Sequence, residues 1–153
     1  MNSCAPVHPL TEPGAVEQAV CNVAERSFFA FAEAGDLSMA AALAPAGSPA
    51  MSAAVRFTGP CCGQMQVTMS TALTRELAHQ FAGDPDLQFS DADLIDMAGE
   101  FANMVTGAWL TATDAASTFD LAAPVVTQTE AAPPITLMMQ INGQPVGLTW
   151  RVE

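Results

Sequence analysis

The sequence predicts an α+β domain in which helices cover one face of a largely antiparallel sheet. Three observations carry this. Apolar residues recur at helical spacing before Gly35 and from Thr71 to Leu110, they alternate with polar ones from Met51 to Met69, and they alternate again at the C-terminal end on both sides of Asn142-Gly143. Helices and strands thus occupy separate runs rather than a regular β-α alternation. With 153 residues, of which 50% are apolar, the chain can bury one real core and is too short for two comfortable domains.

Residues 1 to 13 have three prolines and no periodicity, so they read as a disordered arm, with a single domain over 14 to 153. From Gly14 to Ala34, Val16, Val20, Val23, Ala24, Phe28 and Phe31 follow helical spacing, and Gly35 is the expected stop. The Ala-rich segment 36 to 50, broken by Pro45 and Pro49, reads as a connection with room for one helical turn. Ala53, Val55 and Phe57, then Met65, Val67 and Met69, form two half-buried strands, and pairing Phe57 with Met65 places both apolar sets on one face. Cys61 and Cys62 then occupy the hairpin tip. Thr71 to Ala82 is a short helix with Leu73, Leu77, Ala78 and Phe81 inward, closed by Gly83.

Ser90 to Leu110 is the longest amphipathic stretch. Ser90 with Asp93 reads as a capping box. Leu94, Met97, Ala98, Phe101, Val105, Ala108 and Trp109 make its apolar face, while Asp96, Glu100, Asn103 and Gly107 stack in one narrow polar stripe. Composition alone favours a solvated helix face for that stripe. Against this, Asn is a poor helix-interior residue, and Gly99 and Gly107 flank the pair although each should cost about 1 kcal/mol relative to Ala. Two glycines there leave room for something to approach.

Thr118 to Val126 reads as a strand, with Pro124 tolerable only at an edge or an end. Ile135, Leu137, Met139 and Ile141 alternate up to Asn142-Gly143, a strong hairpin signal, and Val146, Leu148, Trp150 and Val152 alternate beyond it. A two-residue turn pairs Ile141 with Gln144, and hence Met139 with Val146, Leu137 with Leu148 and Ile135 with Trp150.

Four Lys plus Arg stand against 16 Asp plus Glu, and the formal charge of -12 would repel nucleic acid phosphates and anionic membrane surfaces. A protein partner with a positive patch fits better. With neither a signal-peptide pattern nor an apolar run of roughly 18 residues, a cytoplasmic location is expected. Cys4, Cys21, Cys61 and Cys62 lack the C-x-x-C spacing of a zinc site, and neither His8 nor His79 has a second ligand at matching spacing. No metal of the chain's own is expected. A redox or metal role for Cys61 and Cys62 is weighed against the turn reading, which is favoured.

Asp96-x-x-x-Glu100-x-x-Asn103, followed by Pro124 after the next strand, resembles the signature of the CheC/CheX/FliY chemotaxis phosphatases, within an element order that matches from the first helix onwards. The first helix carries no second E-x-x-N, and one site per chain points to the CheX-like branch. The resemblance implies hydrolysis of the aspartyl phosphate on a CheY-like response regulator, which would supply its own Mg2+ and lysine. Asn103 would orient the attacking water, since an amide both donates and accepts hydrogen bonds. Glu100 would pair with the regulator's active-site lysine, Asp96 would rim the interface, and Gly99 and Gly107 would keep the approach clear. The resemblance also implies a homodimer joined through the sheets, for which the terminal hairpin offers an apolar face and an expected open edge. Two alternatives stay open: a non-catalytic adaptor of the same fold that binds a regulator or motor-switch component, and an acidic structural domain whose stripe is only solvated surface.

Overall fold

A computed structural model describes residues 9 to 153. A short 3-10 turn at Pro9–Thr11 leads into α1 (Pro13–Phe28), followed by β1 (Ala32–Ala34), a 3-10 segment at Leu37–Leu43, and the hairpin of β2 (Ala50–Thr58) and β3 (Gly63–Ser70). Then come α2 (Thr71–Ala82), α3 (Asp91–Thr113), β4 (Asp120–Leu121), β5 (Val125–Thr129), β6 (Leu137–Ile141) and β7 (Gln144–Val152). The strands form one seven-stranded sheet in the order β1-β6-β7-β3-β2, with β4 and β5 both on the outer side of β2 and every pairing antiparallel. The expected α+β class is the one observed.

The core lies between one face of the sheet and the three helices. Met51, Val55, Phe57, Met65, Val67 and Met69 from the first hairpin, with Met139, Ile141, Val146 and Leu148 from the second, meet Val16, Val20, Phe28, Leu73, Leu77, Leu94, Phe101, Val105 and Trp109 from the helices. Burying each of the larger side chains contributes about 1.5–3 kcal/mol. The other face is polar along β2 and β3, where Ser52 and Thr68 hydroxyls lie 3.0 Å apart and the Gln66 amide donates to Ser52 at 2.8 Å. Leu43 and Ile135 cover that face over Gly147, where an added Cβ would lie 3.1 Å from Leu43 Cδ1.

Several boundaries differ from expectation for local reasons. Residues 1 to 8 of the expected arm lie outside the described residues, but Leu10 is fully buried in the core and Pro13 opens α1 at its first turn, so 9 to 13 belong to the fold. α1 ends at Phe28 rather than Ala34. Phe29 takes the left-handed conformation (φ 52) that helix C-termini use, and the Ala30 N–H donates to the Ala24 carbonyl at 2.9 Å, so the chain turns off early and Ala32–Ala34 can pair with β6. Phe31, assigned to the core, is exposed. In the first hairpin Phe57 pairs with Gly63, and Met65 with Val55, two residues tighter than expected. The glycine permits it: a Cβ at Gly63 would fall 2.3 Å from the Arg151 carbonyl and 2.5 Å from Phe57 Cζ, so the ring takes the space a side chain would need.

The second hairpin has the expected register from Ile141–Gln144 to Leu137–Leu148, after which the ladder stops and Ile135 folds over Gly147 instead of pairing with Trp150. It is not an open edge, because β1 covers β6 and β7 pairs with β3; the sheet ends at β1 and at β4 with β5. The single strand expected from Thr118 to Val126 is two. Leu121 pairs with Phe57 and Val125 with Ala54, so four steps on this edge oppose three on β2, which is a bulge of one residue. Pro124, with no N–H for the ladder, sits inside the bulge.

Candidate functional site on the long helix

The helix α3 starts where the sequence places it. Ser90 Oγ accepts from the Asp93 N–H at 3.2 Å, and the Asp93 carboxylate accepts from the Ser90 N–H at 2.8 Å, which completes the capping box. Its buried side is fixed by edge-to-face ring contacts, Phe101 on Phe28 at 5.4 Å and Trp109 on Phe57 at 5.5 Å between centroids. With both ends and the underside held, the outward stripe has a defined direction.

That stripe brings together Asp96, Glu100 and Asn103. Asp96 and Glu100 are exposed, Asn103 is half-buried, and none of the three side chains makes a hydrogen bond or ion pair among the described residues. Two carboxylates and a carboxamide are therefore presented on successive turns of a rigid helix with their polar atoms uncommitted. Such a surface can pair with a cation and hold a water; it carries no nucleophile of its own.

The two glycines divide. Gly99 is buried, and a Cβ there would lie 3.3 Å from Pro124 Cβ and 3.4 Å from Val126 Cγ2, so its surface is occupied by the chain's own edge strand rather than kept clear for a partner. This corrects its assignment to the approach path. Gly107 is half-exposed, with only Leu121 Cδ1 at 3.9 Å from an added Cβ, and stays consistent with an open approach. Gly99, Asn103 and Gly107 form one i, i+4, i+8 row, so Asn103 emerges on the side of the helix that faces the bulge.

On the other flank of the stripe, the first half of α3, the C-terminal end of α2 and the loop between them enclose an open groove of about 570 Å³. Ala78, Phe81, Ala82, Phe89 and Met97 make its apolar walls, and Asp93, Asp96 and Glu100 its acidic rim. Phe81, expected in the core, is 53% exposed here because its ring rests on Phe28, 5.4 Å between centroids, at the core's margin. His79 has no ligand role. Its Nε2–H donates to the Leu87 carbonyl at 2.8 Å and its ring lies 4.9 Å from Phe89, so it fastens the loop that forms one wall. Sequence reasoning missed the groove because Phe81 and Phe89 fall on different elements.

Among the described residues no three His, Cys, Asp or Glu side chains are grouped so as to hold a metal ion, and no helix is long and apolar enough to cross a membrane. Cys61, half-buried, has its thiol pKa raised by burial and then by the neighbouring Cys62 and Asp114; Cys62 is exposed at the hairpin tip.

The family model described as "Chemotaxis phosphatase CheX" matches residues 51–143, well over half of the chain and all of α3. No curated protein matches in sequence. Solved structures with the same fold include the CheX proteins of Desulfovibrio desulfuricans (20% identity, TM-score 0.65, covering 92% of this chain and 97% of that one) and Vibrio vulnificus (20%, 0.66, 92% and 95%). A third is the CheX of a CheX-CheY-BeF3-Mg2+ complex from Borrelia burgdorferi (13%, 0.59, 92% and 96%).

Proposed function

Because the chain belongs to the CheX family of chemotaxis phosphatases, we propose that it hydrolyses the aspartyl phosphate of a CheY-like response regulator, with Glu100 and Asn103 as the working pair. The observation that carries this is the placement of the pair: adjacent on the outer face of a capped, well-packed helix, accessible, and uncommitted within the fold. The Borrelia complex, in which a CheX binds CheY with BeF3 and Mg2+, supports the class of partner.

An acyl phosphate is already activated, so the phosphatase needs to bring a water into line and hold two proteins in register. In this reading Asn103 accepts a hydrogen bond from the attacking water and donates to the phosphoryl oxygen or to the water in turn. As water oxygen bonds to phosphorus, the bond from phosphorus to the aspartyl oxygen breaks, leaving inorganic phosphate and the regulator's free carboxylate. Glu100 pairs with the regulator's active-site lysine and fixes the docking geometry. Mg2+ belongs to the regulator, and the chain contributes no metal. Asp96 rims the contact and Gly107 keeps it open. The reaction partner is cytoplasmic, and we place the chain there as a homodimer, a reading supported by the free sheet edge at β1 with exposed Phe29 and Phe31 close by.

The test is phosphate release from a phosphorylated response regulator with and without the chain. Acceleration that disappears in Asn103→Ala supports the reading. Tight binding of the regulator with no acceleration would assign the chain to the adaptor class instead.

A further inference from the structure

We propose that the groove between α2 and α3 is a second anchor for the response regulator and takes one of its long basic side chains, a lysine or arginine other than the active-site lysine. This rests on the phosphatase reading, because it supposes a regulator docked on Glu100 and Asn103.

Three features point to that occupant. The first is charge: the ionic groups around the groove are Asp93, Asp96 and Glu100, with no Lys, Arg or His in the lining, so an anion is repelled and a cation attracted. The second is the pairing of that rim with an apolar floor. Phe81, Phe89 and Met97 suit the methylene stem of a long basic side chain whose charged head stays at the wet rim, and the aromatic faces add a cation-π attraction. The third is continuity, since Glu100 belongs both to the groove and to the catalytic stripe. A partner seated on the stripe thus covers the groove.

A free small molecule is a poorer fit. The groove is open and its polar groups are all at the rim, so little would orient or enclose a small ligand. A side chain already tethered to a docked protein enters at high effective concentration and needs little affinity of its own.

The experiment uses the full chain and the CheY-like regulators of its own genome, each as the beryllofluoride-Mg2+ complex for binding and as the phosphorylated form for turnover. Ala82→Arg places a competing cation and bulk in the groove from an exposed position on the last turn of α2, where a positive charge suits the helix. Asp96→Asn removes rim charge. Both variants are expected to weaken binding and raise KM by about tenfold or somewhat less, with kcat within about twofold of wild type and an unchanged melting temperature. A scan of basic residues on the regulator should find one, outside its active site, whose loss has no further effect on Ala82→Arg. If wild type binds and hydrolyses while Ala82→Arg matches it in Kd, the groove is not an anchor and the phosphatase reading stands. If wild type binds none of the regulators, both fall.

Discussion

Pro124 rests directly on Gly99: the space where a Cβ of residue 99 would stand is 3.3 Å from Pro124 Cβ. The proline lies in the one-residue bulge between β4 and β5, and the glycine immediately precedes Glu100 in α3. The edge strand and the functional helix are thus locked together one residue from the proposed site. A helix glycine costs about 1 kcal/mol relative to Ala; here it permits the close approach. Gly99→Val should therefore destabilise the fold by about 1–3 kcal/mol through overpacking and tilt the stripe, lowering activity as well as melting temperature. Gly99→Ala sets a tight contact against better helix propensity, and its net change should stay within about 1 kcal/mol. Urea unfolding of the two variants, alongside turnover, measures both effects.

Gly107 makes the opposite prediction. A Cβ there meets only Leu121 Cδ1 at 3.9 Å, so Gly107→Ala should stabilise the protein by up to about 1 kcal/mol. If the regulator approaches along this part of the stripe, the same methyl group weakens its binding. A variant that melts higher and binds as well as wild type would remove Gly107 from the interface.

Asn103→Ala should abolish most catalysis while leaving melting temperature and regulator affinity close to wild type. The side chain has no internal hydrogen bond to lose among the described residues, and Ala is the better helix former. Glu100→Ala should lower affinity and rate together, because the ion pair it forms is desolvated when the interface closes. Full hydrolysis by Asn103→Ala would refute the assigned mechanism even for an active phosphatase.

The thiols at the hairpin tip give a chemical check. Cys62 is exposed, whereas burial and nearby charge raise the thiol pKa of Cys61, and burial with Glu25 and Glu17 raises that of Cys21. At neutral pH an alkylating reagent should modify Cys62 ahead of the other two, as peptide mass spectrometry would show. Cys61→Ser with Cys62→Ser should leave hydrolysis unchanged. Elemental analysis of the purified chain should find no stoichiometric zinc or iron.

The assembly is read by light scattering at micromolar concentration, where a dimer mass is expected. Full activity in a monomer would exclude any need for the second copy.

Taken by itself, the sequence determined whatever depends on local periodicity and capping: the helix from Ser90, the stripe of Asp96, Glu100 and Asn103, and the Asn142-Gly143 hairpin with its register. These are legible because spacing along one element decides which residues share a face. Tertiary structure decided what depends on two elements meeting. Phe29 in the left-handed conformation ends α1 before Ala34 and frees β1 to pair with β6; Gly63 yields its space to Phe57 and tightens a hairpin by two residues; and the bulge at Pro124 fills the gap above Gly99 that looked open along the helix. A missing side chain is visible in a sequence, but whether solvent, a partner or the chain itself takes its place is settled only by packing.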